Sequence, residues 1–194
     1  MSKELIQKAR KLAQEIVAPI TESVDKEGRF PKEAYDALKK QGFMGLLVPK
    51  EFGGLGFSII EHTGVCYELA RKDATTGLCY MMHNTGTSGI VSFGSAAMKD
   101  EFLPKIAKGE RAIALAYSES GSGTHFGSPD ISESLENGAR VLNGRKSFVT
   151  SALQADFYMT NTNSCKIKGA HNTWLVDRTL PNMIHEDSAW DGLG

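Results

Sequence analysis

The chain has 194 residues, 41% hydrophobic and 23% charged, an ordinary balance for a globular protein with one large or two small domains. A formal net charge of -1 gives no electrostatic footprint for nucleic acid, and no block of like charges stands out. Cys66, Cys79 and Cys165 are too far apart for a zinc pattern, so no metal is expected; with no secretory signal core and no membrane-length apolar run, a cytoplasmic protein is expected.

Up to Glu110 the pattern is helical. Leu5, Ile6, Ala9, Leu12, Ala13, Ile16, Val17 and Ile20 recur at steps of three and four, giving one apolar stripe. Ser2 is the expected N-cap, and Pro19 sits near the far end. "FPKEAYDALKKQG" predicts a second helix, with Pro31 in its first turn and Gly42 at its C′ position. "SIIEHTGVCYELARK" opens with Ser58 and Glu61 at capping-box spacing. A fourth helix is expected after Asp73. A fifth runs through "SAAMKDEFLPKIAKG", where Pro104 predicts a kink or a break into two short helices.

From Arg111 the period changes. Asn137-Gly138 and Asn143-Gly144 each predict a tight type I′ turn. Around them lie "ARVL", "KSFVTS", "DFYMTN" and "NTWLVD", short runs rich in β-branched and aromatic residues that read as a β-meander. Helices first and strands afterwards predict an α+β chain: an all-α domain over 1–110, then an incomplete antiparallel β-barrel or sandwich over 111–194. The sequence stops just after Trp190, which reads as a truncated β-domain with an uncovered edge.

The polar patch after "AIALAY" has three readings. As a dinucleotide loop it fails, because a third glycine is due at position 126, which is Phe126, and the following sequence is strand-like. As a slack linker it is flanked too closely by expected strands, although an ordinary surface loop stays open. The third reading is a binding site. On a strand Leu115 and Tyr117 share a face, with Ser118 at the strand's mouth, and Phe148 and Thr150 share a face in "KSFVTS". A flat ring beside hydroxyls suits a planar conjugated ligand such as a flavin. Taken alone, Phe148 reads as a core aromatic and Thr150 as an ordinary strand threonine.

Four anchors in order carry a resemblance to the acyl-CoA dehydrogenase family, flavoproteins that desaturate acyl-CoA thioesters between the α and β carbons. "LLVPKEFGGLG" resembles the family's P-x-x-x-G-G-x-G turn, and "YSESGSGT" stands where the family has T-E-P-x-x-G-S-D. "LNGRKSFVTSA" is similar to N-G-x-K-x-W-I-T-N-G, and "WDGLG" to the approach to L-G-x-R-G. The resemblance implies FAD as cofactor. It implies that Leu115, Tyr117 and Ser118 lie along the flavin's pyrimidine edge. Phe148 would stack on the ring system, and Thr150 would hydrogen-bond near N5, the hydride acceptor. Gly123 and Thr124 would contact the CoA portion, and Tyr80, Met81 and His83 would line the acyl channel, although helical spacing also allows Tyr80 and Met81 as core residues.

The departures are Ser118 for threonine, Ser120 for proline, His125 for aspartate, Phe148 for tryptophan and Ser151-Ala152 for asparagine-glycine. The general base implied by the resemblance is a glutamate of a C-terminal domain beyond Gly194, so no catalytic residue is assigned here. The expected function is therefore the N-terminal portion of an FAD-dependent acyl-CoA dehydrogenase that takes an acyl-CoA substrate and passes electrons to an electron-transfer flavoprotein. It is expected to be a homo-oligomer when full length, without nucleic-acid or membrane partners. The alternatives are a flavin-dependent oxidase or monooxygenase on the same fold, or a catalytically inert fragment.

Overall fold

A computed structural model describes residues 2–122, 125 and 127–186. The described residues up to Ile113 fall in one compact unit and Ala114–Ile184 in a second. Six α-helices occur among the described residues of the first: α1 (Lys3–Leu12), α2 (Thr21–Glu27), α3 (Lys32–Lys40), α4 (Ile59–Ala70), α5 (Ala74–Phe93) and α6 (Ala96–Ala107). No helix among the described residues is long and apolar enough to cross a membrane.

The helix starts follow local chemistry. Ser2 caps α1 by accepting from the Leu5 N–H. The stripe then runs on through a π-helical segment, Ala13–Val17, and a 3₁₀ turn, Ala18–Ile20, holding Pro19 at its start. At α4 the capping box forms in full: Ser58 Oγ accepts from the Ile60 N–H and the Glu61 carboxylate accepts from the Ser58 N–H, both at 3.2 Å. Each half satisfies an amide that the first turn leaves unpaired. Asp73 caps α5 through the Thr76 N–H at 2.6 Å. Pro104 does not break α6, which continues to Ala107. A proline so close to the end removes one backbone donor and leaves only the last turn to adjust.

Leu5, Leu12, Val17, Leu38, Phe43, Met44, Leu46, Val65 and Leu69 build the core of this unit. Arg10 reaches from α1 to the buried Glu68 of α4 with two parallel hydrogen bonds, Nη2–Oε1 at 2.8 Å and Nε–Oε2 at 3.2 Å. The glycines of "EFGGLG" have different tasks. Gly53 is left-handed at φ 82°, the conformation that favours glycine, whereas a Cβ on Gly54 would stand 2.1 Å from the Val48 carbonyl oxygen.

The second unit carries one sheet, with β1 (Ile113–Ala116) entering from the unit boundary, then β2 (Ser132–Glu136), β3 (Ala139–Asn143), β4 (Phe157–Asn163) and β5 (His171–Asp177). The spatial order is β1-β4-β2-β3, with β5 also on β4. The sheet is mixed rather than wholly antiparallel, since β2 meets the end of β4 in parallel at Ser132 and Asn163. β2 and β3 form the expected hairpin about Asn137 (φ 51°) and Gly138 (φ 83°), the two positive angles a type I′ turn requires.

The second Asn-Gly pair makes no such turn. Gly144 has φ 154°, and no strand follows until Phe157. "KSFVTS" is a loop, with Phe148 at φ 54° and Ser151 at φ 63°. Left-handed residues break the pleat, so this stretch forms no strand despite its β-rich composition.

Candidate flavin site

Leu115 lies half-buried in β1, and Tyr117 and Ser118 follow half-buried as the strand gives way to a loop. The strand end is tied to its neighbour, because the Thr160 hydroxyl of β4 donates to the Ala116 carbonyl at 2.7 Å. The loop after β3 comes back to the same place, where the Ser147 N–H donates to the Ser118 carbonyl at 2.8 Å. One residue earlier, Lys146 Nζ donates to the Tyr117 carbonyl at 3.2 Å, to Glu119 Oε1 at 2.5 Å and to Asn161 Oδ1 at 2.8 Å.

Phe148 and Thr150 therefore do not share a strand face, and the alternation expected for "KSFVTS" is corrected. Backbone-to-backbone and lysine-mediated bonds, not a pleat, bring their loop against Ser118. Phe148 is 70% exposed, which corrects its alternative reading as a core aromatic. A large exposed ring held on a short, tied loop is the kind of side chain that stacks on planar groups. Thr150 is half-buried. Beside it, the buried Oγ of Ser151 has no hydrogen-bond partner among the described residues. A ring, a hydroxyl, an orphaned hydroxyl and a strand-end backbone on neighbouring loops fit a planar heteroaromatic group with polar edges. Among the described residues no group of three or more His, Cys, Asp or Glu side chains is placed to hold a metal ion.

Glu119 and Lys146 are the residues to which sequence reasoning assigned no role, although both fall inside the quoted motifs. Their side chains are 3% and 9% exposed. Glu119 also accepts from the N–H groups of Asp130 (2.5 Å) and Ile131 (3.4 Å). Burial opposes the charge on Glu119, but Lys146 and the Asp130 N–H outweigh it and hold the carboxyl below its ordinary range. The available signal was a charged pair within otherwise apolar or hydroxyl-rich strands and loops. A second buried carboxylate, Glu133, accepts from Asn172, the Cys165 N–H and Arg140. The Asn172 bond, opposed by burial and helped by Cys165 and Arg140, pulls it down to about 2.

The α5 residues divide. Tyr80 and His83 are fully buried in the helical unit. The Tyr80 hydroxyl donates to the Phe43 carbonyl at 3.0 Å. His83 Nε2 lies 3.1 Å from the Met44 carbonyl, while Nδ1 accepts from the Ile113 N–H at 3.2 Å. That pairing fixes a neutral ring with the proton on Nε2. Both lie buried in the helical core with their polar atoms paired, the core alternative that the spacing leaves open for Tyr80 and, for His83, a place unlike the channel position the resemblance implies. Met81 is half-buried. Gly123 and Thr124 lie outside the described residues, as does "WDGLG".

A helical unit followed by a mixed sheet whose first strand opens into this site is the architecture of the N-terminal and middle domains of acyl-CoA dehydrogenases. Butyryl-CoA dehydrogenase from Megasphaera elsdenii superposes with a TM-score of 0.86 at 24% identity, over 93% of this chain and 50% of that one. A solved structure described as an FAD-dependent dehydrogenase gives 0.75 at 28% identity, over 92% and 46%. An acyl-CoA dehydrogenase of Bacillus subtilis (strain 168) is 31% identical over 177 residues, 90% of this chain and 47% of its own length. The family domain described as "Acyl-CoA dehydrogenase, N-terminal domain" matches residues 2–110. The chain belongs to the acyl-CoA dehydrogenase family. It spans about half the length of the relatives it matches.

Proposed function

We propose that this chain supplies the flavin-facing loops of an FAD-dependent acyl-CoA dehydrogenase, acting in α,β-desaturation of an acyl-CoA thioester. The observation that carries the reading is the exposed Phe148 ring on a loop bonded through Ser147 to the Ser118 carbonyl. When bound, FAD supplies the oxidant for the reaction. The chain's own residues bind and orient it. Phe148 would give a stacking face, Leu115, Tyr117 and Ser118 would hold the polar edge of the ring system, and the Thr150 hydroxyl would supply a donor to it. Gly123, Thr124 and Met81 are the substrate contacts in this reading. Family membership supports both the cofactor and the thioester class, with an electron-transfer flavoprotein as acceptor and a homo-oligomer as the working form. No residue of the chain is assigned as the general base.

Titration of the purified protein with FAD, followed by flavin fluorescence, tests the cofactor assignment. Saturable binding is expected, weakened roughly tenfold or more in Phe148→Ala, since truncating an aromatic stacking partner loses about 1–3 kcal/mol. Unchanged affinity in that variant sinks the stacking role. Acyl-CoA added anaerobically to the FAD-bound protein should bleach the flavin. Bleaching only by other reductants, with fast reoxidation by oxygen, points instead to an oxidase.

A further inference from the structure

The two loops that present Ser118 and Phe148 are held in register by a buried charge pair. The three N–H donors of Lys146 meet three acceptors, Glu119 Oε1, Asn161 Oδ1 and the Tyr117 carbonyl. Glu119 in turn gathers the N–H groups of Asp130 and Ile131, closing the loop that begins at Tyr117. A desolvated ion pair is weak support for stability, because losing water from two charges offsets their attraction. Its consequence here is geometric: Lys146 is bonded to Tyr117 itself and to Glu119, the residue after Ser118, and lies two positions before Phe148.

We infer that Lys146 and Glu119 are positioning residues for FAD, clamping the Tyr117–Ser118 edge to the Phe148–Thr150 loop and keeping a compensated charge behind it. The inference rests on the FAD assignment above and deepens it. Two properties follow. Loop register depends on the whole pair, whereas the local potential depends on which partner remains. Removing Glu119's charge leaves a cation, which favours the more negative, reduced flavin. Removing Lys146's charge leaves an anion, which disfavours it.

The test uses FAD-loaded protein carrying Glu119→Gln, Lys146→Met, or both. Flavin fluorescence gives affinity, spectroelectrochemistry gives the midpoint potential, and circular dichroism reports folding. Each single variant is expected to bind FAD roughly tenfold more weakly, as loss of a supporting partner commonly does. The potential should rise in Glu119→Gln and fall in Lys146→Met. In the double variant it should return close to the parent value while affinity stays reduced. Shifts of the same sign in both singles, or none, in folded protein overturn the inference. Should a single variant not fold, Lys146→Arg decides, because it keeps the charge but not the three-acceptor fit. Weaker FAD binding at unchanged potential is expected, and parent-like affinity overturns the clamp. If the parent protein binds no FAD, the flavin assignment itself falls and the inference with it. A parent that binds FAD beside indifferent variants removes the clamp alone.

Discussion

At the scale of single residues, burial and pairing decide what a polar side chain does. His83 was expected at a binding surface, yet it bridges the Met44 carbonyl and the Ile113 N–H inside the helical core. Burial pushes its pKa from 6.5 down to about 4, with the Met44 contact opposing. In the unfolded chain the ring takes up its proton near the ordinary value, while the folded ring stays neutral. The unfolded state therefore binds more protons between these limits, and stability falls as pH drops through them. Urea unfolding should show a loss of about 2 kcal/mol from this residue between pH 7 and pH 5. His83→Gln should flatten that slope without abolishing it, because His62 is also pushed down by burial. An unchanged slope in the variant rules out His83 as the acid-sensitive group. The imidazole was legible in the sequence, but whether it faces a ligand or a carbonyl depends on Met44, 39 positions away.

At the scale of elements, boundary chemistry was readable wherever it is local. The Ser58–Glu61 box and the Asn137-Gly138 turn each act over a few residues and appear as expected, and the helix expected after Asp73 begins there, capped by that residue. "EFGGLG" shows where locality stops. Gly53 and Gly54 are indistinguishable by composition, but one holds a left-handed angle in open space and the other lies against Val48 backbone. Gly53→Ala should cost about 1 kcal/mol through its backbone angle alone. Gly54→Ala should cost at least ~3 kcal/mol, since backbone must move to admit a methyl group. Thermal unfolding of the two variants side by side checks the difference, and equal losses would contradict the close approach. The loop at 146–151 departs from the strand its composition predicts for the complementary reason. Phe148, Val149 and Thr150 have strand propensity, which reflects packing on a pleated surface more than an intrinsic backbone preference, and among the described residues no strand pairs with this loop.

At the scale of the whole molecule, two units divide the work. The helical unit has an apolar core drawn from most of its elements. The second unit has a small cluster about Ala114, Ala116, Ala155 and Tyr158, supplemented by buried ion pairs at Glu119 and Glu133. A ligand that binds only the folded state stabilises it in proportion to the logarithm of its free concentration over its dissociation constant. FAD at a hundredfold excess over its dissociation constant should stabilise the protein by about 2.7 kcal/mol. Hydrogen exchange should show the added protection concentrated in 114–122 and 145–155. Protection confined to the helical unit would move the FAD site away from the loops described here.

The sequence by itself determined the α+β order, most helix starts, one hairpin and the family, because caps, turns and motif order are short-range features of the chain. Tertiary structure alone decided that β2 meets β4 in parallel, that Phe148 sits on a loop, and that Lys146 with Glu119 ties that loop to Ser118. These are contacts between residues up to 31 positions apart, and their geometry follows from which groups must share a buried, water-poor space rather than from local preference.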